Sequence, residues 1–286
     1  MKRTISLTLA CALALAMRAP AQTTITAWTF DNNSIAVNNS PAPSTGSGTA
    51  DSIGMNIYPT PNVGVTTDDV LLGKSTDTGA NGVADLTQIW RIRGQAGSSG
   101  AANGWSSQAP IGTQGAQFFA NTTGYNTINV SFDWYSTTQG EANMQLEYTT
   151  DGGLTWHNVA LALSGSDSGL QVLNNTTSAN TVMGSFVSDN LLNSSAAGQD
   201  WFTGLTATIT DPLAANNSNF GIEAVNASTG ADCISTQGTA LNNSSGNWRF
   251  DNVVIKGTAL AVPEPSALAL MGGSLAALIA FRRRKF

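Results

Sequence analysis

Histidine and cysteine are nearly absent from this chain, with one histidine and two cysteines in 286 residues. With His157 alone, no Ser-His-Asp triad can be placed by motif and no histidine cluster exists for zinc. Cys11 lies in an N-terminal apolar run that reads as a removable leader, so Cys233 is left alone and no intramolecular disulfide framework is possible. No basic residue lies near Cys233 in sequence to stabilise a thiolate, which argues against a thiol nucleophile. Charge is sparse as well, at 10% of residues. Between Gln22 and Val262 five basic side chains face seventeen acidic ones, a net of −12. An acidic domain of this kind argues against nucleic acid or an anionic membrane surface as partner. Helical periodicity is missing, and no repeat recurs at a fixed period, which argues against a propeller or solenoid.

What the chain does have is concentrated first at its two ends. Lys2 and Arg3 precede a short apolar run from Ile5 to Met17, and Ala19-Pro20-Ala21 places small residues where a signal peptidase reads them. Cleavage after Ala21 leaves Gln22 as the mature N-terminus. At the other end stands Val262-Pro263-Glu264-Pro265-Ser266, then an apolar run from Ala267 to Phe281, then Arg282-Arg283-Arg284-Lys285. Pro263 and Pro265 each fix φ and lack an N–H, so they hold Glu264 in an extended stretch. Ser266 is a natural N-cap for the helix that follows. The sixteen residues from Ser266 to Phe281 make a helix of roughly 24 Å, against a hydrocarbon core of about 30 Å. Such a helix spans only marginally, and Gly272 and Gly273 weaken it. The basic cluster stays cytoplasmic by the positive-inside rule. This order of motif, apolar run and basic end resembles the PEP-CTERM sorting signal. The resemblance implies recognition by an exosortase, a membrane-embedded protease-transpeptidase, with Pro263, Glu264, Pro265, Arg282, Arg283 and Arg284 as the sorting residues. The expected organisation is a signal peptide over 1–21, a β-domain over 22–257, a linker over 258–265, a transmembrane helix over 266–281 and a basic tail over 282–286.

The middle of the chain alternates with period two. Ile128, Val130, Phe132 and Trp134 alternate with Asn129, Ser131, Asp133 and Tyr135; Met144, Leu146 and Tyr148 alternate with Gln145, Glu147 and Thr149. Leu205 to Ile209 and Phe220 to Ala224 do the same. Further strands are expected over Thr24 to Phe30, Leu86 to Ile92, Gln117 to Ala120 and Trp248 to Ile255. Asn38 to Ala50 and Gly94 to Gly104 read as loops. Strands with one buried and one wet face predict an all-β fold, an antiparallel jelly-roll-like β-sandwich. The Asn-x-Ser/Thr triplets, such as Asn121-Thr122-Thr123 and Asn226-Ala227-Ser228, follow from composition.

Two local patterns stand out. Thr149-Thr150-Asp151-Gly152-Gly153-Leu154-Thr155-Trp156 is similar to an Asp-box hairpin, in which Asp151 binds backbone N–H groups and the glycines take positive φ. A single copy marks a hairpin and does not imply glycosidase activity. Asn247 to Ile255 resembles the closing strand of galactose-binding-like and MAM-like jelly rolls, with Ile25 to Asp31 paired to it or nearby. That resemblance implies a structural Ca2+ where first and last strands meet, with Asp31 and Asp251 as hard-oxygen ligands. The loop from Asp77 to Gly82 is a lesser oxygen-rich candidate. No other cofactor is expected.

For function, Tyr135 and Trp105 are candidates for stacking on sugar rings, as are Trp90 and Trp201. Glu141, Glu147 and Glu223 are the carboxylates available for glycoside hydrolysis, although a solvated polar face accounts for them equally. The expectation is a non-enzymatic exported protein of the envelope or extracellular matrix. Its expected role is structural or adhesive, linked to exopolysaccharide, with signal peptidase and exosortase as processing partners. The alternatives are a carbohydrate-binding module with a defined sugar site and a divergent glycoside hydrolase.

Overall fold

A computed structural model describes residues 21–36, 38–55, 68–72, 87–93, 104–137, 139–162, 172–175, 180–183, 201–235, 241–243 and 246–260. The leader through Ala19, the Pro-Glu-Pro motif, the apolar run, Arg282 to Arg284, most of the Gly94 to Gly104 segment and the Asp77 to Gly82 loop lie outside these residues. Among the described residues no helix is long and apolar enough to cross a membrane; the helical turns are the 3-10 segments Pro212–Ala214 and Gly230–Asp232.

Two antiparallel sheets face each other across one core, as the alternation predicts. The first contains β1 (Gln22–Trp28), β3 (Asp69–Leu72), β4 (Gln88–Arg93), β7 (Tyr125–Ser136), β12 (Phe202–Ile209) and β15 (Asn247–Ala259). The second contains β2 (Gly48–Ile53), β6 (Gly115–Ala120), β8 (Met144–Thr149), β9 (His157–Val159), β10 (Val172–Asn175), β11 (Asn180–Met183) and β13 (Phe220–Asn226). A small ribbon pairs β5 (Trp105–Ser106) with β14 (Asn242–Asn243).

The closing strand organises the first sheet. Along one edge β15 pairs with β7; along the other its first half carries β4 and its second half β1, with Trp248 opposite Ile92 and Trp28 opposite Val253. The break between the halves falls at Asn252, whose φ of 49° sits where the β7 ladder shifts register. Asparagine tolerates the left-handed region, which suits it to a bulge. The opening and closing strands thus pair, as their sequences suggest.

Trp28, Trp90 and Phe250 from the first sheet surround Phe118 of β6, with ring centroids at 5.2, 5.8 and 5.9 Å, each edge-on. All four rings are buried, and each aromatic contributes roughly 1.5–3 kcal/mol by burial. A Cβ at Gly48 would stand 2.3 Å from the Phe119 carbonyl oxygen and 3.0 Å from the Trp28 ring, so this close approach requires glycine. The expected loop from Asn38 to Ala50 is corrected at its end. Gly48 opens β2, which pairs with β6 so that Ala50 faces Phe118 in register. As an edge strand of small and polar residues, β2 carries little hydrophobic signal of its own.

Candidate functional site: a carboxyl pair on the second sheet

The pleat of the second sheet sets the site. Leu146 on β8 and Ile222 and Ala224 on β13 belong to the core, so Gln145, Glu147 and Glu223 point to the opposite face. Register then aligns Asn158, Glu147, Glu223, Gln117 and Asp51 as one polar row across β9, β8, β13, β6 and β2.

Glu147 and Glu223 are the centre of that row. They are 9% and 2% exposed, and a hydrogen bond joins their carboxyl groups. Burial pushes both carboxyls above the usual carboxylate range; the hydrogen bond and charge of Glu147 push Glu223 further. Gln145, fully buried, donates from Nε2 to Glu147 Oε1 at 2.7 Å. The loop before β6 closes over this spot: a Cβ at Gly112 would stand 3.7 Å from both Glu147 Oε2 and Gln145 Nε2. Asn226, at the end of β13, holds that loop. Its Oδ1 accepts from the N–H groups of Thr113 and Gln114 at 3.0 and 2.8 Å, and its Nδ2 donates to the Pro110 carbonyl at 3.0 Å. The amide of Asn226 is therefore a buried clamp. Two oxygens beside the pair, Gln145 Oε1 and Asn158 Oδ1, are buried without a hydrogen-bond partner.

A second buried carboxyl is fully engaged. Glu141 accepts from Cys233 Sγ at 2.9 Å, Ser228 Oγ at 2.8 Å and the Asn143 N–H at 3.0 Å. Burial lifts its carboxyl to about 7 against these bonds. Burial and the Glu141 carboxyl raise the Cys233 thiol, which keeps it protonated and unreactive.

The hairpin between β8 and β9 has the expected turn. Asp151 Oδ1 accepts from the N–H groups of Leu154 and Thr155 at 3.0 and 2.9 Å, and Oδ2 accepts from Thr155 Oγ1 at 2.6 Å. These donors hold the Asp151 carboxyl well below its usual range. Gly152 and Gly153 take φ of 77° and 92°.

The aromatic candidates lie elsewhere than on an open face. Tyr135 is 1% exposed; Trp201 packs on it at 5.5 Å and the Arg249 guanidinium lies 5.0 Å from its ring centre. Trp105 is buried against Trp248 at 4.4 Å. Trp90 is core and Trp201 is 8% exposed. Neither Tyr135 nor Trp105 offers a ring face to solvent. Tyr135 sits opposite the core-facing residues of β7, as its position implies, but neighbouring segments cover that face.

The two carboxylates expected as calcium ligands each accept from a backbone amide. Asp31, just after β1, accepts from the Gln88 N–H at 2.8 Å and caps the start of β4. Asp251, mid-strand and buried, stands opposite Asp133 and accepts from the Asn252 N–H at 2.7 Å. Among the described residues no group of three or more His, Cys, Asp or Glu side chains could hold a metal ion.

Residues 261–285 match the PEP-CTERM protein-sorting motif. The chain is an exosortase substrate, exported, held transiently at the membrane before processing, and destined for the cell surface. No curated protein matches the chain in sequence. Among solved structures it overlaps the CBM22-1-GH10 modules of Clostridium thermocellum endo-1,4-beta-D-xylanase 10B complexed with xylohexaose, at 9% identity and a TM-score of 0.35. That overlap covers 84% of this chain and spans 29% of the xylanase chain. The K2 cleaved adhesin domain of Lys-gingipain overlaps at 10% identity and a TM-score of 0.36, over 82% of this chain and 97% of the adhesin. SGBP-B from a xyloglucan utilization locus of Bacteroides uniformis overlaps at 10% identity and 0.29, over 82% of this chain and 65% of its own. Overlaps at this level define no ligand.

Proposed function

We propose that the β-sandwich is a non-catalytic structural or adhesive component of the envelope or extracellular matrix, with exopolysaccharide as its contact. The observation that carries this reading is the position of the folded domain against its sorting signal. β15 ends at Ala259 and the motif begins at residue 261, so the sandwich abuts the segment the exosortase reads. Gln22 lies opposite Thr258 at the start of β1. Cleavage by signal peptidase after Ala21 then leaves the first strand intact, its start paired with the end of β15. A net charge of −12 over Gln22 to Val262 keeps such a domain soluble and away from nucleic acid.

The carboxyl geometry supports a non-catalytic role. Glycosidase carboxyls stand about 5 Å apart or more to admit a sugar or water between them. Glu147 and Glu223 are in direct hydrogen-bonding contact. The test is co-sedimentation of the processed protein with exopolysaccharide from its own cells. Retention on the polymer without release of reducing sugar is expected. Absence of binding together with sugar release would contradict the reading.

A further inference from the structure

We propose that the outer face of the second sheet, at Trp156, Phe119, Gln117 and Thr49, binds an uncharged polysaccharide chain. This inference rests on the exopolysaccharide reading and gives it a surface. Beside the polar row of Glu147 and Glu223, about 7 Å along the strands, lies a second outward row. In it Thr149 stands opposite Gly221, Gly221 opposite Phe119 and Phe119 opposite Thr49. Trp156 immediately precedes β9 and joins the row at its Thr149 end. Gly221 leaves the middle of the row open. A Cβ there would stand 2.6 Å from Phe119 Cδ1, so the Phe119 ring lies over the backbone of β13. The Trp156 ring meets it at 6.0 Å between centres, tilted by 56°.

Of the seven tryptophans, Trp156 alone is not buried. Phe119 is half-buried beside it, so the pair leaves ring surface to solvent. Polar groups border these rings. Gln117, two residues from Phe119 on the same face, is half-buried, and among the described residues no hydrogen bond engages its amide. The Thr49 side chain is exposed. A pyranose ring lays its C–H face on an aromatic ring and exchanges hydrogen bonds through its hydroxyls, which an amide and a hydroxyl at the rim can meet. Charge selects among polysaccharides. None of the strands of this sheet contains lysine or arginine. Asp51 stands opposite Gln117, and Asp151 lies in the turn that carries Trp156. Such a face repels uronate, sulfate or phosphate groups and suits a neutral chain.

The test is affinity electrophoresis of the processed, exported protein. The probe is the exopolysaccharide of its own cells, separated by anion exchange into neutral and acidic fractions. The parent protein should be retarded by the neutral fraction. Trp156→Ala and Phe119→Ala should each weaken that binding about tenfold or more. Gln117→Ala should weaken it about threefold or more with an unchanged melting temperature, which separates lost contact from lost folding. Neutral binding that survives in Trp156→Ala and Gln117→Ala overturns this site and leaves the exopolysaccharide reading standing. Equal or tighter binding of the acidic fraction overturns the choice of a neutral chain. No binding of either fraction overturns the site and the exopolysaccharide reading together.

Discussion

Glu147 on β8 and Glu223 on β13 stand opposite each other in register, with their carboxyl groups hydrogen-bonded and both side chains buried. Their stability consequence is a pH dependence of definite sign. A carboxyl whose folded pKa lies above its unfolded value binds more protons folded than unfolded. Its contribution is greatest below the ordinary carboxylate range and falls as pH rises through the folded value. Burial puts Asp68 at about 6 and Glu141 at about 7, and raises Glu147 and Glu223 as well. The melting temperature should therefore fall between about pH 5 and pH 8. Glu223→Gln should flatten the upper part of that fall. A profile rising over the same interval would contradict the burial of these groups.

Phe118 joins the two sheets through three edge-on contacts to Trp28, Trp90 and Phe250. Phe118→Ala should cost about 3–5 kcal/mol, read as a lower denaturation midpoint. A loss under about 1 kcal/mol would mean that the sheets do not pack through this ring.

Cys233 is held by Glu141 inside the fold. The native protein should resist thiol reagents and react fully once unfolded. Cys233→Ala should cost about 1 kcal/mol through the lost bond to a buried carboxyl. Rapid labelling of the native thiol would show that this corner opens.

Asp151 accepts from two backbone N–H groups and two threonine hydroxyls across the β8–β9 turn. Its depressed pKa has the opposite sign to the buried acids. The support it gives is present above the ordinary carboxylate range and is lost only as pH falls through the depressed value. Asp151→Ala should loosen the turn first, raising amide exchange at Leu154 and Thr155 before that of β13. Unchanged exchange at both amides would contradict the role of the carboxylate.

Much of this fold was legible in the sequence because its central strands are long and half-buried. β7, β8, β12, β13 and β15 alternate apolar and polar residues over lengths that leave one pairing face. β2, with Gly-Thr-Ala-Asp-Ser-Ile, escaped because an edge strand takes its place from pairing with β6. The Asp-box turn was readable because one carboxylate and two glycines specify it locally. The site was not. Alternation placed Glu147 and Glu223 on the face opposite the core but could not show that register sets them against each other, or that the Asn226-held loop covers them. The same blindness made Tyr135 look like an open sugar platform. Its strand position was right, but the Trp201 ring and Arg249 that cover it come from distant parts of the chain.

The most direct test of the account is the intact mass of the protein from its native cells, with the cell fraction recorded. The account predicts a chain beginning at Gln22, ending close to Pro263 to Pro265, and recovered from the cell surface or medium. A chain that retains Phe286 and stays in the inner membrane would contradict it.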